Sequence, residues 1–241
     1  MDYYSFLGSR TSKNPLYKVN HKITAYTKTR VKYKSESSIT LDEGFLRSCA
    51  LKLAHEGDYT EAIALLNQLI DTHPQNPADY NNRGLIYFQS GEHQKALSDY
   101  NTAIQLNPHL ASVYNNRANC YAACGELLAA LVDYDQALDL NPRYVRAWIN
   151  RGITLRDLGE YSPAVDNFEI ALLFGQLEAN IWAERGRTYH LWGDWNCAIA
   201  DYNRALNNIN FVNNKDTSSY RLQLQLESWL DELLFTQNTD W

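Results

Sequence analysis

The sequence predicts an all-α solenoid, five consecutive helix-turn-helix units closed by a C-terminal helix, and three observations carry that prediction. Glycine recurs every 34 residues, at Gly57, Gly91, Gly125, Gly159 and Gly193. Alanine keeps step five residues later, at Ala62, Ala96, Ala130, Ala164 and Ala198, and again at Ala103, Ala137, Ala171 and Ala205, with Leu69 in the first unit. Between these alanines a large apolar residue returns: Leu66, Tyr100, Tyr134, Phe168, Tyr202. A period of this length marks stacked supersecondary units, because one helix pair cannot bury its apolar stripe without a neighbour.

The elements follow in chain order. Residues 1–42 show no helical period. Between Lys22 and Lys34, apolar Ile23, Ala25, Val31 and Tyr33 are interleaved with Lys22, Lys28, Arg30, Lys32 and Lys34. That pattern suits an extended strand with a basic edge, or a flexible arm. This segment carries eight Lys/Arg against three acids, a net of +5, inside a chain of net −6, so residues 43–241 carry −11. A basic arm on an acidic body points to interaction.

The repeating units run 43–76, 77–110, 111–144, 145–178 and 179–212. In each, two amphipathic stretches meet at the periodic glycine, which suits a left-handed helix cap. In the second unit Ala96, Leu97, Tyr100, Ala103 and Ile104 form one helical stripe. Position 4 is large (Leu46, Tyr80, Tyr114, Trp148, Trp182) and position 8 is small (Ala50, Gly84, Ala118, Gly152, Gly186), as two closely approaching helices require. Prolines close the first three units at Pro74, Pro108 and Pro142, while Gln176 and Asn210 stand there in the last two. In 213–241, Leu222, Leu226, Trp229, Leu230 and Leu233 make a further amphipathic helix, read as a cap over the last unit. A membrane-surface helix is the rival, disfavoured because Glu227, Asp231 and Glu232 face only Arg221 in charge.

The residues at positions 4, 8, 11, 20, 24, 27 and 32 resemble the tetratricopeptide repeat (TPR) family over about 170 of 241 residues. The resemblance implies a superhelical solenoid and a non-catalytic adaptor or scaffold that binds an extended peptide in a concave groove. Units of this NNRG and DYN style resemble bacterial TPR proteins, including those of photosynthetic bacteria that help assemble membrane complexes. The resemblance therefore also implies an assembly factor for a multi-subunit complex. The pattern by which chaperone-binding TPR domains hold a terminal carboxylate is missing: in the third, fourth and fifth units Asn115, Asn119, Asn150 and Asn180 are uncharged and Glu184 is repulsive.

Signals for chemistry are sparse. The six His have no metal-ligand spacing, the glycines follow no phosphate-loop spacing, and Cys120 with Cys124 has no third ligand nearby in sequence. The expectation is no enzyme, no metal and no cofactor. Four scattered Cys, no run of about 20 apolar residues and no apolar N-terminal leader predict a cytoplasmic protein, peripheral to a membrane complex if it is an assembly factor.

Two polar features share the period. Position 7 is Arg83, Arg117, Arg151 and Arg185, and position 23 is Asp99, Asp133, Asn167 and Asp201; in the first unit both become apolar or nearly so, Cys49 and Leu65. That joint change predicts an Arg–Asp pair within each unit, with an arginine ladder for anions as the alternative. In the fourth unit Asn167 offers only a weaker bond, unless Asp166 serves. Position 6 is Asn82, Asn116 and Asn150, where the family resemblance implies a groove-facing side chain. A carboxamide can satisfy both N–H and C=O of an extended peptide. Solvated asparagine on an open face is the plain alternative. The resemblance places Asn119, Arg47, Arg146, Arg156 and Arg187 along the same track, so the expected ligand is an acidic extended peptide. The second function expected is nucleic-acid or anionic-surface binding through Lys22, Lys28, Arg30, Lys32 and Lys34, sensitive to salt.

Overall fold

The computed structural model describes residues 43–212 and 217–237, and the basic segment 22–34 lies outside them. The described residues form helices α1 Glu43–Glu56, α2 Tyr59–Thr72, α3 Pro77–Gln89, α4 His93–Leu106, α5 Ala111–Ala123, α6 Leu127–Leu140, α7 Val145–Asp157, α8 Tyr161–Leu172, α9 Glu178–Trp192, α10 Trp195–Val212 and α11 Thr217–Gln237, with no strand. The fold is the all-α solenoid of five helix pairs with a following helix that the 34-residue period predicts.

Local chemistry places the breaks. The periodic glycines all take φ between +82° and +92°, the left-handed region that favours glycine, so each chain reversal needs only two or three residues between helices. The first helix of the second unit begins with Pro77 at its first position, and the Asn76 side chain accepts the Ala78 N–H. Between the fourth and fifth units, where no proline stands, Gly175 and Leu177 take φ of +61° and +56° instead.

Packing follows a fixed plan. Tyr100, Tyr134, Phe168 and Tyr202 on the second helices are at most 1% exposed and lie over the small position-8 residue of the first helix. Where that residue is Gly152, an added Cβ would stand 2.9 Å from the Phe168 ring, so glycine is what admits the ring. First helices touch first helices of the next unit, α1 with α3 through to α7 with α9, whereas second helices touch no other second helix among the described residues. The first helices are therefore the more closely spaced layer and line the concave side. Helix α11 packs on α10 and α9, burying Leu226, Trp229 and Leu233 with Ala198, Tyr202 and Ala205. It covers the stripe that a further unit would have covered.

Candidate functional site

The concave layer carries a chain of carboxamides. Asn116 Nδ2 donates to Asn81 Oδ1 at 3.0 Å, Asn115 Nδ2 to Asn116 Oδ1 at 3.4 Å, and Asn150 Nδ2 to Asn115 Oδ1 at 3.2 Å. Two of these bonds span units, each from position 6 of one to position 5 of the unit before. Asn115 is buried at 3% exposure, while Asn82, Asn116 and Asn150 are half-buried. The chain orients Asn116 and Asn150. Asn82 makes no side-chain hydrogen bond among the described residues, because its position-5 neighbour is Arg47, which turns elsewhere. Asn119 Oδ1 accepts the Tyr134 hydroxyl at 2.7 Å, committing one end of that amide to the core.

The arginines of the track divide. Arg47 forms a bidentate pair with the fully buried Asp79, Nε to Oδ1 at 2.5 Å and Nη2 to Oδ2 at 3.0 Å, and a second bond to Glu43 at 2.6 Å. Arg156 is 3% exposed and donates to Glu184 at 2.7 Å. Arg187 bonds Glu232 of α11 at 3.0 Å and lies over the Trp229 ring at 5.3 Å, so the capping helix takes its charge. Arg47, Arg156 and Arg187 are thus each paired with an acid from another helix. Arg146 is exposed and makes no ion pair among the described residues. Next to Arg187, burial and the guanidinium hold the His190 imidazole below its ordinary 6.5, against the pull of Glu232.

The position-7 arginines act inside the fold. Arg117 Nε and Nη2 each reach Asp133 at 2.7 Å, with equivalent bidentate pairs for Arg83 with Asp99 and Arg185 with Asp201. Each arginine also reaches back to the second helix of the preceding unit: Arg83 to Asn67, Arg117 to Asn101 and Arg185 to Glu169. In the fourth unit the partners exchange character. Arg151 bonds the neutral amide of Asn167 at 3.0 Å and Asp135 at 2.7 Å, so the acid comes from the preceding unit and Asp166 is not needed. One guanidinium thus ties three helices, and sequence reasoning missed the third. The signal was present as a polar position 25: Asn67, Asn101, Asp135, Glu169. Asp133 bonding raises the Arg117 guanidinium above its ordinary value despite burial. Arg83, Arg117 and Arg185 have Nε, Nη1 and Nη2 all engaged, and Arg151 has Nε and Nη1 engaged, so these arginines do not form a ladder open to anions.

Cys120 and Cys124 gain a neighbour that spacing did not reveal, the His93 imidazole 3.5 Å from Cys124 Sγ. Burial pushes the Cys120 thiol up to about 12. Among the described residues no group of three His, Cys, Asp or Glu is placed to hold a metal ion, and no helix is long and apolar enough to cross a membrane.

Comparison with known proteins agrees with the geometry. The family model described as tetratricopeptide repeat matches residues 77–110 and 111–144, and a second, described as TPR repeat, matches 51–91. No curated protein sequence matches the chain. Similar solved structures include a thermophilic TPR protein of Thermus thermophilus, 24% identical with a TM-score of 0.67, covering 78% of this chain and 98% of that one. A tetratricopeptide repeat protein from Parabacteroides merdae is 21% identical with a TM-score of 0.68, covering 92% of this chain and 83% of its own. The MamA protein is 20% identical with a TM-score of 0.57, covering 68% and 90%.

Proposed function

We propose, from the tetratricopeptide repeat models that match residues 51–144 and the solenoid fold, that the chain is a scaffold for protein–protein contact whose concave face binds an extended segment of a partner protein. The observation that carries the reading is the carboxamide chain of α3, α5 and α7. Hydrogen bonds to Asn81 and Asn115 fix Asn116 and Asn150 before any ligand arrives, so less rotamer entropy is lost on binding. Asn82, without an internal partner, keeps its donor and acceptor for a backbone. Arg146 supplies positive charge on the same track, which favours an acidic segment. Arg47, Arg156, Arg187 and Asn119 shape the track more than they contact the ligand, since internal bonds engage them.

On this reading the protein is a non-catalytic adaptor, an assembly factor that holds a partner tail while a larger complex forms, acting in the cytoplasm or at the edge of a membrane complex. The test starts from a peptide selected on the full chain from a displayed library, with its affinity measured by calorimetry. Each amide hydrogen bond contributes about 0.5–1.5 kcal/mol. Replacing Asn82, Asn116 and Asn150 together by Ala should weaken binding by about tenfold to a thousandfold. Asn82→Ala alone should cost roughly twofold to tenfold with no loss of stability, because it breaks no internal bond. Full affinity in a folded triple variant would reject the groove. Binding that disappears on deleting 1–42 and falls steeply with salt would assign the ligand to the basic arm instead.

A further inference from the structure

The turn between α9 and α10 builds a second receptor. Gly193, at φ +89°, reverses the chain so that Trp192 ends one helix and Trp195 begins the next, with Asp194 between them. Trp192, Gly193, Asp194, Trp195 and Asn196 line a shallow open pocket of about 470 Å³. Trp192 is 49% exposed, yet its ring is held in place, stacked on Tyr189 at 6.4 Å and Tyr161 at 6.3 Å between centroids.

Elsewhere the fold places a guanidinium on its aromatic faces. Arg83 covers Tyr80 and Tyr87, Arg117 covers Tyr114 and Tyr121, Arg185 covers Trp182 and Tyr189, and Arg187 covers Trp229, all within 6 Å of a ring centroid. Trp192 and Trp195 have no such cation among the described residues. Asp194 accepts the Cys197 N–H at 3.1 Å and leans on the Cys197 thiol, but makes no ion pair among the described residues. At the other turns the residues matching the two tryptophans are Glu56 and Tyr59, Ser90 and His93, Cys124 and Leu127, and Leu158 and Tyr161. Two indoles flanking a carboxylate occur only in the fifth unit.

From this juxtaposition we infer that the Trp192–Asp194–Trp195 pocket receives a cationic side chain, an arginine or lysine presented by a partner protein. The half-exposed Trp192 indole attracts a cation through its quadrupole, Asp194 supplies the counter-charge, and Trp195, partly buried against the core beneath the turn, walls a shallow opening that admits one side chain. The site lies at a helix–helix turn, and none of its residues belongs to the carboxamide track, so the two surfaces are separate binding sites.

The test follows the indole N–H resonances of the full chain by NMR, with Trp192→Phe assigning the Trp192 signal. The probe is N-acetyl-arginine amide, and N-acetyl-citrulline amide is its neutral isostere. The arginine probe should shift the Trp192 and Trp195 signals saturably and the citrulline probe should not. Asp194→Asn, which keeps a good helix cap, should weaken the arginine probe by about threefold to fivefold, the range of one exposed cation contact. Trp192→Leu, at an exposed position, should do the same and serves as a second variant. Equal shifts from the citrulline probe, no saturation, or affinity unchanged in both variants would overturn the proposal.

Discussion

Arg117→Leu tests how the solenoid is held together. Asp133 is 4% exposed and receives two charge-assisted bonds at 2.7 Å from Arg117. Leucine would leave that carboxylate buried without its cation, at a cost of about 3–5 kcal/mol. The lost bond to exposed Asn101 adds little, because water replaces it. At roughly 2–4 °C per kcal/mol for a chain of this size, the melting temperature should fall by about 10 °C. Arg117→Leu with Asp133→Leu should recover most of the loss, since the charge and its partner leave together, as the Cys49 and Leu65 of the first unit already illustrate. Arg151→Leu supplies an internal control. Its buried partner Asn167 is neutral and keeps its own bond to the Pro163 carbonyl at 2.7 Å, and Asp135 has 55% of its side chain in water. That change should cost only about 1–2 kcal/mol. Urea unfolding of the four proteins of the cycle and of Arg151→Leu, followed by circular dichroism, measures all of this. Additive losses in the cycle, or an Arg151 variant as damaged as the Arg117 variant, would refute the reasoning.

Ending the chain at residue 216 removes α11 and uncovers Tyr202, Ala198 and Ala205; each lost Leu or Trp contact is worth roughly 1.5–3 kcal/mol, so the shortened protein should melt well below the full chain or aggregate on heating. Gly152→Ala sets a helix-propensity gain of about 1 kcal/mol against a Cβ 2.9 Å from a fully buried ring and 3.2 Å from the Ala164 carbonyl, and overpacking should win by about 1–2 kcal/mol in urea unfolding. Burial and Arg187 depress the His190 imidazole, so as the pH drops through 6.5 the unfolded chain takes up the proton more readily than the fold and stability should fall. His190→Gln should flatten that part of the urea-midpoint profile, and a slope of opposite sign in the wild type would contradict the assignment.

Much of the fold was legible because helix geometry converts sequence spacing into position. A 34-residue period in glycine, alanine and aromatic residues assigns each helix, each turn and each core contact within a unit, and it paired Arg117 with Asp133 because both belong to the same unit. The amphipathic stripe of 222–233 likewise identified the cap, since an apolar face on a terminal helix must cover something. What spacing left open was which unit answers which. Arg156 meets Glu184 across 28 residues and Arg187 meets Glu232 across 45, and several acids stood at comparable distances in sequence. The carboxamide chain, the reach of each position-7 arginine to the preceding unit and the approach of His93 to Cys124 depend on the rotation between stacked helix pairs. That rotation is set jointly by the side chains packed at every interface. No single segment encodes it, so only the tertiary structure decided which polar groups are consumed inside the fold and which, like the Asn82 amide and the Arg146 guanidinium, are not.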